Sequence, residues 1–295
     1  MVETTDGQIL KGRLRGKFKQ AHEQKGITNP LAVGDNVECE KEHEQEVVSI
    51  TKIEPRENYI IRKSVHKRGQ GHMIAANVDQ ALLVATLSQP RTSLGFVDRF
   101  LVAAESFGIE AVVVLNKLDL LDAQEAEALK ATETLYESLG YRFIFTSALT
   151  GEGMEEMKEI LNGRITLLSG HSGVGKSSLI NTLKPGLDLR TAMISDFANK
   201  GVHTTTFAER FPLWAGTYII DTPGIKELGL LDIDKYELSH FFPEMRAMLG
   251  ECRFGNCGHT NEPGCKVRDK VENGGVAISR YQSYLSMLAD EDSHR

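Results

Sequence analysis

Gly170-His171-Ser172-Gly173-Val174-Gly175-Lys176-Ser177 is the stretch around which the rest of the chain arranges itself. It fits G-x-x-x-x-G-K-[ST], the phosphate-binding P-loop. The apolar run Ile165-Thr166-Leu167-Leu168 before it predicts a buried strand, and Ser178–Leu183 after it predicts the start of a helix. Strand, loop and helix are the context that the motif requires. Gly170, Gly173 and Gly175 let the backbone curl so that successive N–H groups point at phosphate oxygens. The expected phosphate-binding set is Gly170, Ser172, Gly173, Val174, Gly175, Lys176, Ser177 and Ser178. The helix N-terminus adds partial positive charge, and Lys176 reaches the β- and γ-phosphates as a mobile, catalytic point charge. Ser177 places its hydroxyl on Mg²⁺. A nucleoside triphosphate is the implied ligand.

With 295 residues the chain has room for two or three domains. A hydrophobic content of 41% with 25% charged residues is that of a soluble globular protein. No apolar run approaches the ~20 residues of a membrane span. Met1–Arg15 is polar and charged, so no signal peptide is expected and the cytoplasm is the default location. A net charge of −7 argues against a generally basic nucleic-acid coat, while leaving room for a local basic face. Nothing demands more than a monomer.

Residues 1–65 read as an all-β domain. Lys11, Arg13, Arg15, Lys17 and Lys19 fall on alternate positions, with Gly12, Leu14, Gly16 and Phe18 between them. On a strand, period 2 puts all of these cations on one face, which suits a polyanion; a solvated edge strand is the alternative. Pro30–Asp35 reads as a turn, Asn36–Glu40 as a strand, and the acidic stretch Glu38–Glu46 as a solvated loop. Val47–Ile53 and Tyr59–Arg62 supply further short strands, and short strands with turns between them suggest an oligonucleotide-binding (OB) type of barrel. Arg62–His72 is basic, contains Gly and lacks periodicity, so residues 66–76 are assigned to a linker. Its cluster Arg62, Lys63, His66, Lys67 and Arg68 reads equally as a phosphate contact or a solvated hinge.

Residues 77–229 read as an α/β domain. Strands at Ala81–Leu87, Ala111–Leu115 and Phe143–Phe145 alternate with helices at Phe96–Phe107, Ala123–Leu139 and Met154–Leu161. That alternation implies a parallel sheet covered on both faces. Asn116-Lys117-Leu118-Asp119 ends the second strand, and Thr146-Ser147-Ala148 ends the third. Ligands bind at these strand ends in open α/β sheets. The Asp119 carboxylate suits guanine, accepting from N1–H and the 2-amino group; adenine offers neither donor and leaves the charge unpaired. Asn116 braces the loop and faces N7, the Lys117 stem covers the base, and the Ala148 N–H reaches O6.

Beyond the P-loop helix, Leu189–Gly201 has no clear periodicity and reads as mobile, ending in Gly201-Val202-His203-Thr204-Thr205-Thr206. Phe207–Leu213 and Tyr218–Asp221 read as strands, the latter running into Asp221-Thr222-Pro223-Gly224. Asp221 is placed to hold the Mg²⁺ shell through water, and the Gly224 N–H to bond the γ-phosphate. Thr205, with Thr204 the neighbouring alternative, completes the shell only with the γ-phosphate present, which makes a switch.

Residues 230–295 read as a helical, metal-binding end. Cys252, Cys257, His259 and Cys265 fall in one short window, while Cys39 stands alone. Three thiolates and an imidazole make a closed tetrahedral set for one structural Zn²⁺. Ser279–Leu288 closes the chain as a helix.

The P-loop, NKLD, TSA and DTPG motifs together form the GTPase set, but in an unusual order. Ras-like GTPases place the P-loop first; here residues 116–119 and 146–148 precede residues 170–177, 204–206 and 221–224. An OB-like barrel, a circularly permuted GTPase and a C-terminal Cys3His module resemble the ribosome small-subunit-dependent GTPase A (RsgA) family over essentially the whole chain. The resemblance implies a cytoplasmic GTPase that binds the small (30S) ribosomal subunit and its rRNA late in maturation, is stimulated by it, and leaves after hydrolysis to GDP. It also implies a strand before Val2-Glu3, where Met1 already stands, so the expectation is either a shortened start or an incomplete barrel.

Ras-like enzymes carry a glutamine after D-x-x-G to orient the attacking water, whereas Ile225 stands here. An isoleucine has no group to bond water. His203, beside the threonines, is the replacement expected, since a neutral imidazole orients water and the resemblance points to the same histidine. His171 is expected to face solvent. No Lys or Arg reads as an in-cis finger, so slow intrinsic turnover with partner acceleration follows. Two other readings stay open: a P-loop ATPase or small-molecule kinase, and an RNA- or protein-binding module latched by GTP with incidental hydrolysis.

Overall fold

A computed structural model describes residues 1–14, 29–41, 47–63, 71–187, 208–221 and 233–293. The chain falls into two compact units, Met1–Val78 with Phe207–Arg210, and Asp79–Thr206 with Phe211–Arg295.

The first unit holds β1 (Val2–Glu3), β2 (Ile9–Leu14), β3 (Val37–Lys41), β4 (Val47–Ile53), β5 (Tyr59–Lys63) and β6 (Gly71–Ala76). Its four-stranded sheet runs β1-β2-β4-β3, with β2 and β4 parallel, and β5 pairs antiparallel with β6. The β4 side chains Val48 and Ile50 are buried. Arg56 pins the turn before β3, donating through Nε to Asp35 Oδ1 at 2.6 Å and through its terminal nitrogen to Pro30 O at 2.8 Å. Register shifts at Glu38/Cys39 and Ile60/Ile61 bend the paired strands in the manner of a barrel-type domain.

Two sequence readings need adjustment here, the linker and the acidic loop, and two further observations bear on the start of the chain. Residues 71–76, assigned to the linker, form β6: Met73 and Ala75 are buried and the backbone is paired to β5, a long-range gain that local composition does not report. Val2–Glu3 is itself a short strand on β2. Glu38 and Glu40 lie in β3 rather than in a loop, exposed on its surface. Of the alternating cations, Lys11 and Arg13 are exposed on one face of β2, while Arg15, Lys17 and Lys19 lie outside the described residues.

The second unit contains β7 (Gln80–Ala85), α1 (Leu94–Phe107), β8 (Glu110–Leu115), α2 (Ala123–Ser138), β9 (Arg142–Phe145), α3 (Met154–Leu161), β10 (Ile165–Ser169), α4 (Lys176–Leu183), β11 (Glu209–Trp214) and β12 (Thr217–Asp221). The helices α5 (Pro243–Arg246), α6 (Lys266–Glu272) and α7 (Ile278–Ser293) follow. The sheet order is β11-β12-β10-β7-β8-β9, and β12, β10, β7, β8 and β9 pair in parallel. Every residue of β7 is buried, as expected of a strand covered on both faces. The chain leaves β7 toward β8 on one side, while β10 has β12 on its other side. The crevice between β10 and β7 is thus the topological switch point, the usual ligand position in such sheets.

Helix boundaries follow local chemistry. Ser93 Oγ accepts from Phe96 N to start α1, and Gly108, in the left-handed region at φ 65°, ends it. Asp122 and Glu125 form a reciprocal capping box at α2.

The C-terminal helices pack on α1 through a core containing Val102, Phe242, Met245, Val267, Tyr284 and Met287. Within this contact lies a fully buried guanidinium. Arg280 donates to Asp98 Oδ1 at 2.7 Å and, through Nε, to Glu244 Oε1 at 2.7 Å, with the Phe242 ring 4.7 Å away. Burial alone would favour loss of the Arg280 proton, but the Glu244 and Asp98 carboxylates outweigh it and hold the pKa above the ordinary value. Tyr136 donates to Asp98 Oδ1 at 2.5 Å, its own pKa raised by burial and then by the Asp98 charge. Asp98→Ala leaves a buried guanidinium with half its partners and is expected to cost about 3 kcal/mol in urea unfolding. Arg142→Ala, which breaks a pair exposed by 52% and 47%, should cost under about 1 kcal/mol.

Candidate active site and metal centre

The loop from Gly170 to Gly175 joins β10 to α4 at the switch point. Gly175 is the decisive residue: its φ is +98°, and a Cβ there would stand 2.3 Å from Asn116 Nδ2. That amide nitrogen donates to Val174 O at 2.8 Å, so the loop and the strand end carrying Asn116 approach each other with no room for a side chain. Lys176 is 7% exposed and folds back over its loop, donating to Gly170 O at 2.5 Å and His171 O at 2.8 Å. Burial lowers its pKa, with the Asp221 charge opposing. Ser177 is buried in the first turn of α4, and Asp221 is buried at the end of β12, in register with Leu168. Ser172, Gly173 and Ser178 are exposed. A curled backbone, an ammonium bonded among the described residues only to carbonyls of its own loop, a hydroxyl in the first turn of α4 and a carboxylate at the end of β12 fit a phosphate group with Mg²⁺.

The base-side loops meet the same crevice. Asn116 N donates to Ala85 O at 2.9 Å, and the Asn116 side-chain oxygen accepts from Thr146 Oγ1 at 3.2 Å and Ala148 N at 3.3 Å. Lys117 takes the left-handed region at φ 68° and sends Nζ to Gln89 O at 2.5 Å. Asp119 is exposed in a short 3-10 turn, Leu118–Leu120, and accepts from the fully buried Ser147 Oγ at 2.5 Å. One carboxylate oxygen is therefore held from behind by Ser147. The Cβ of any larger residue at Gly153 would fall 1.8 Å from Phe145 O, which lets α3 start directly behind this loop.

His203, Thr204, Thr205, Gly224 and Ile225 lie outside the described residues, as does Leu189–Gly201. His171 is corrected: it does not simply face solvent but is half-buried, with its ring 4.0 Å from that of Phe96. A long aromatic neighbour on α1 captures the imidazole. The loop after β7 was missed by sequence reasoning. There Thr86 Oγ1 donates to Pro90 O and Thr92 Oγ1 accepts from Thr86 N, while Pro90 Cδ stands 3.5 Å from where a Gly173 Cβ would be. Its signal was positional: Gln89-Pro90 follows a strand that ends at the same sheet edge as the NKLD strand.

At the chain's other end, the ligand atoms of Cys252, Cys257, His259 and Cys265 lie within 4.8 Å of one another. His259 Nδ1 is 3.7 Å from Cys252 Sγ and 3.4 Å from Cys265 Sγ. Atoms about 2.3 Å (S) and 2.0 Å (N) from a shared tetrahedral zinc stand about 3.5–3.8 Å apart, so the cluster fits a zinc site. Its backbone is held from outside. Tyr281 Oη donates to His259 O at 2.7 Å and Tyr284 Oη to Gly258 O at 2.8 Å. Glu262 accepts from Gly258 N at 2.7 Å, Thr260 N at 2.9 Å and Asn261 N at 3.0 Å.

Two outcomes follow from this geometry. Gly175→Ala adds a Cβ into the Asn116 amide at an unfavourable φ, a strain of about 1–3 kcal/mol, and should weaken GDP binding by about tenfold or more in calorimetry. Burial pushes the Cys257 thiol up to about 12 and the Cys265 thiol above its ordinary value, so both carry protons at neutral pH. A zinc ion binding here displaces them; zinc affinity should therefore rise with pH through the neutral range and fall toward acid, with proton release visible in buffers of different ionisation enthalpy.

Comparison with known proteins agrees with this geometry. A family model described as RsgA GTPase matches residues 53–231. The chain is 51% identical over 296 residues to the small ribosomal subunit biogenesis GTPase RsgA of Cytophaga hutchinsonii, covering 100% of this chain and 96% of that one. It is 49% identical to the protein of the same name from Bacteroides fragilis, over 99% of this chain and 93% of that one. Among solved structures, YjeQ from Thermotoga maritima aligns with a TM-score of 0.78 at 38% identity, over 97% of this chain and 91% of its own. YloQ, described as a circularly permuted GTPase, aligns with a TM-score of 0.73 at 28% identity, over 99% of this chain and 90% of its own. The P-loop strand in mid-sheet, with the NKLD and TSA strands earlier in the chain, is the same permuted arrangement, and the chain belongs to the RsgA GTPase family.

Proposed function

We propose that this chain hydrolyses GTP in the crevice between β10 and β7 and serves in biogenesis of the small ribosomal subunit, whose binding accelerates hydrolysis and whose release follows it. The observation that carries the nucleotide reading is the Asn116 side chain, bonded at once to Val174 of the P-loop and to Thr146 and Ala148 of the TSA loop. The names of the relatives support the ribosomal reading.

In this reading Gly170, Ser172, Gly173, Val174, Gly175 and Ser178 bind phosphate through their backbone, and Lys176 moves from its loop carbonyls to the β/γ oxygens. Asp119, held by Ser147, selects guanine; Asn116, Lys117 and Ala148 complete the base pocket. Mg²⁺, when bound, neutralises charge developing between the β- and γ-phosphates. Ser177 and Thr205 would hold it, with Asp221 acting through bound water. The Gly224 N–H meets the γ-phosphate. His203, as a neutral imidazole, holds the attacking water in line; the water oxygen bonds phosphorus as the bond to the GDP oxygen breaks. Cys252, Cys257, His259 and Cys265 would hold one Zn²⁺ in a structural role. The domains are an OB-like barrel that takes in β6 and runs to Val78, a permuted GTPase from there to residue 229, and a zinc-binding helical end over 230–295. No helix among the described residues is long and apolar enough to cross a membrane. The working form is a cytoplasmic monomer that meets rRNA partly through the Lys11 and Arg13 face.

The test is GTP turnover with and without purified small ribosomal subunits, with ATP as control. A large stimulation specific to GTP and to the small subunit is expected; tight GTP binding without stimulation would favour a GTP latch. His203→Ala should lower the stimulated rate by about 10²–10⁴-fold while leaving GTP affinity nearly unchanged. Asp119→Asn should lower the preference for GTP over xanthosine triphosphate by at least about 10²-fold in competition binding.

A further inference from the structure

Helix α1 serves two neighbours. Positions 95, 98, 102 and 105 recur at helical spacing, and all meet the C-terminal segment. A Cβ at Gly95 would stand 3.9 Å from Ser283 Oγ. Asp98 pairs with Arg280, Val102 belongs to the C-terminal core, and Glu105 Oε2 lies 2.8 Å from Arg246. Phe96 sits beside that stripe and lays its ring on His171, with centroids 4.0 Å apart and planes 31° off parallel. The His171 carbonyl is one of two that hold the Lys176 ammonium. A shift of α1 therefore reaches the loop around Lys176 through the Phe96–His171 ring contact.

We propose that Arg280, at the metal-bearing end of the chain, is a positioning residue for the phosphate-binding loop, acting through Asp98, helix α1 and the Phe96–His171 stack. The inference rests on the reading that this loop binds the phosphates of GDP and GTP.

Stability alone is a poor reason for the charges here. Well-packed apolar residues in place of a buried ion pair are often neutral or stabilising, whereas a forked guanidinium with two carboxylate partners fixes one seating of its neighbours. Asp98 Oδ2 has no hydrogen-bond partner among the described residues, so Arg280 and Tyr136 hold Asp98 through Oδ1 alone. The other end of the linkage is also fixed. Helix α7 carries Arg280 and, one and four residues on, the two tyrosines that hold the backbone of the metal knuckle at His259 and Gly258. The knuckle seats α7, α7 seats α1 through Arg280, and α1 seats the loop through Phe96.

The test measures GDP dissociation constants with a fluorescent GDP analogue on the zinc-loaded full chain, for Arg280→Lys, Phe96→Leu and the double variant, with thermal unfolding alongside. Each single variant should weaken GDP binding by about fivefold or more, a typical coupling between sites. The double variant should bind no worse than the weaker single, while the drop in Tm from Arg280→Lys persists in the Phe96→Leu background. The ratio of GDP to inosine diphosphate affinity should stay unchanged, because the base pocket is not on this path. Parent-like GDP affinity in a destabilised Arg280→Lys chain overturns the proposal, and so do multiplicative losses in the double variant. Where Arg280→Lys does not fold, Asp98→Asn, which keeps the side-chain shape, carries the same expectations. Lys176→Ala separates the two claims: if it binds GDP like the parent chain, the phosphate reading fails; if it loses GDP while Arg280→Lys does not, only the positioning role fails.

Discussion

The carboxamide of Asn116 donates to Val174 in the phosphate-binding loop and accepts from Thr146 and Ala148 in the loop after β9, so one buried side chain ties together segments 58 and 30 residues away from it. Each such bond contributes about 0.5–1.5 kcal/mol net, but a buried partner left unpaired costs about 1–3 kcal/mol. That asymmetry makes the amide a constraint on geometry more than a source of stability. It also explains Gly175, since any Cβ there would displace the amide nitrogen. In the proposed reading, phosphate and base contacts come from distant parts of the chain and must hold one spacing, that of a single nucleotide.

Permutation changes which of these segments comes first without changing where they meet. The parallel strands β12, β10, β7, β8 and β9 direct their C-terminal ends to one edge, so cutting and rejoining the chain leaves every loop at that edge. Helix α1 has the C-terminal segment as a neighbour. The C-terminal helices dock on it through a core around Val102 and Tyr284 and through the Arg280 network, and a second ordered centre thereby lies one helix away from the nucleotide loop.

Most of the second unit was legible because its signals are local. Met154–Leu161 repeats apolar residues at helical spacing, and β7 and β8 are short continuous apolar runs, as doubly covered strands must be. The Cys3His cluster was legible for the same reason, its four residues lying within one short window. What was not legible depends on contacts made at a distance. Strand β6 looks like linker because His72 and the basic residues before it hide the burial of Met73 and Ala75, which comes only from pairing with β5. The Phe96 ring on His171 has no local signature, and the Arg280–Asp98 bond spans 182 residues. A lone Arg on a C-terminal helix reads as surface until the fold shows it fully buried.

The most direct measurement of the central claim is the GDP dissociation constant of Asn116→Ala by calorimetry, with thermal unfolding to verify a folded chain. If one amide holds the phosphate and base loops in register, its loss leaves Val174 O and the Thr146 hydroxyl without their partner and should weaken GDP binding by about hundredfold or more. A folded Asn116→Ala chain that binds GDP within about twofold of the parent would contradict the account, because the loops would then hold their spacing without it.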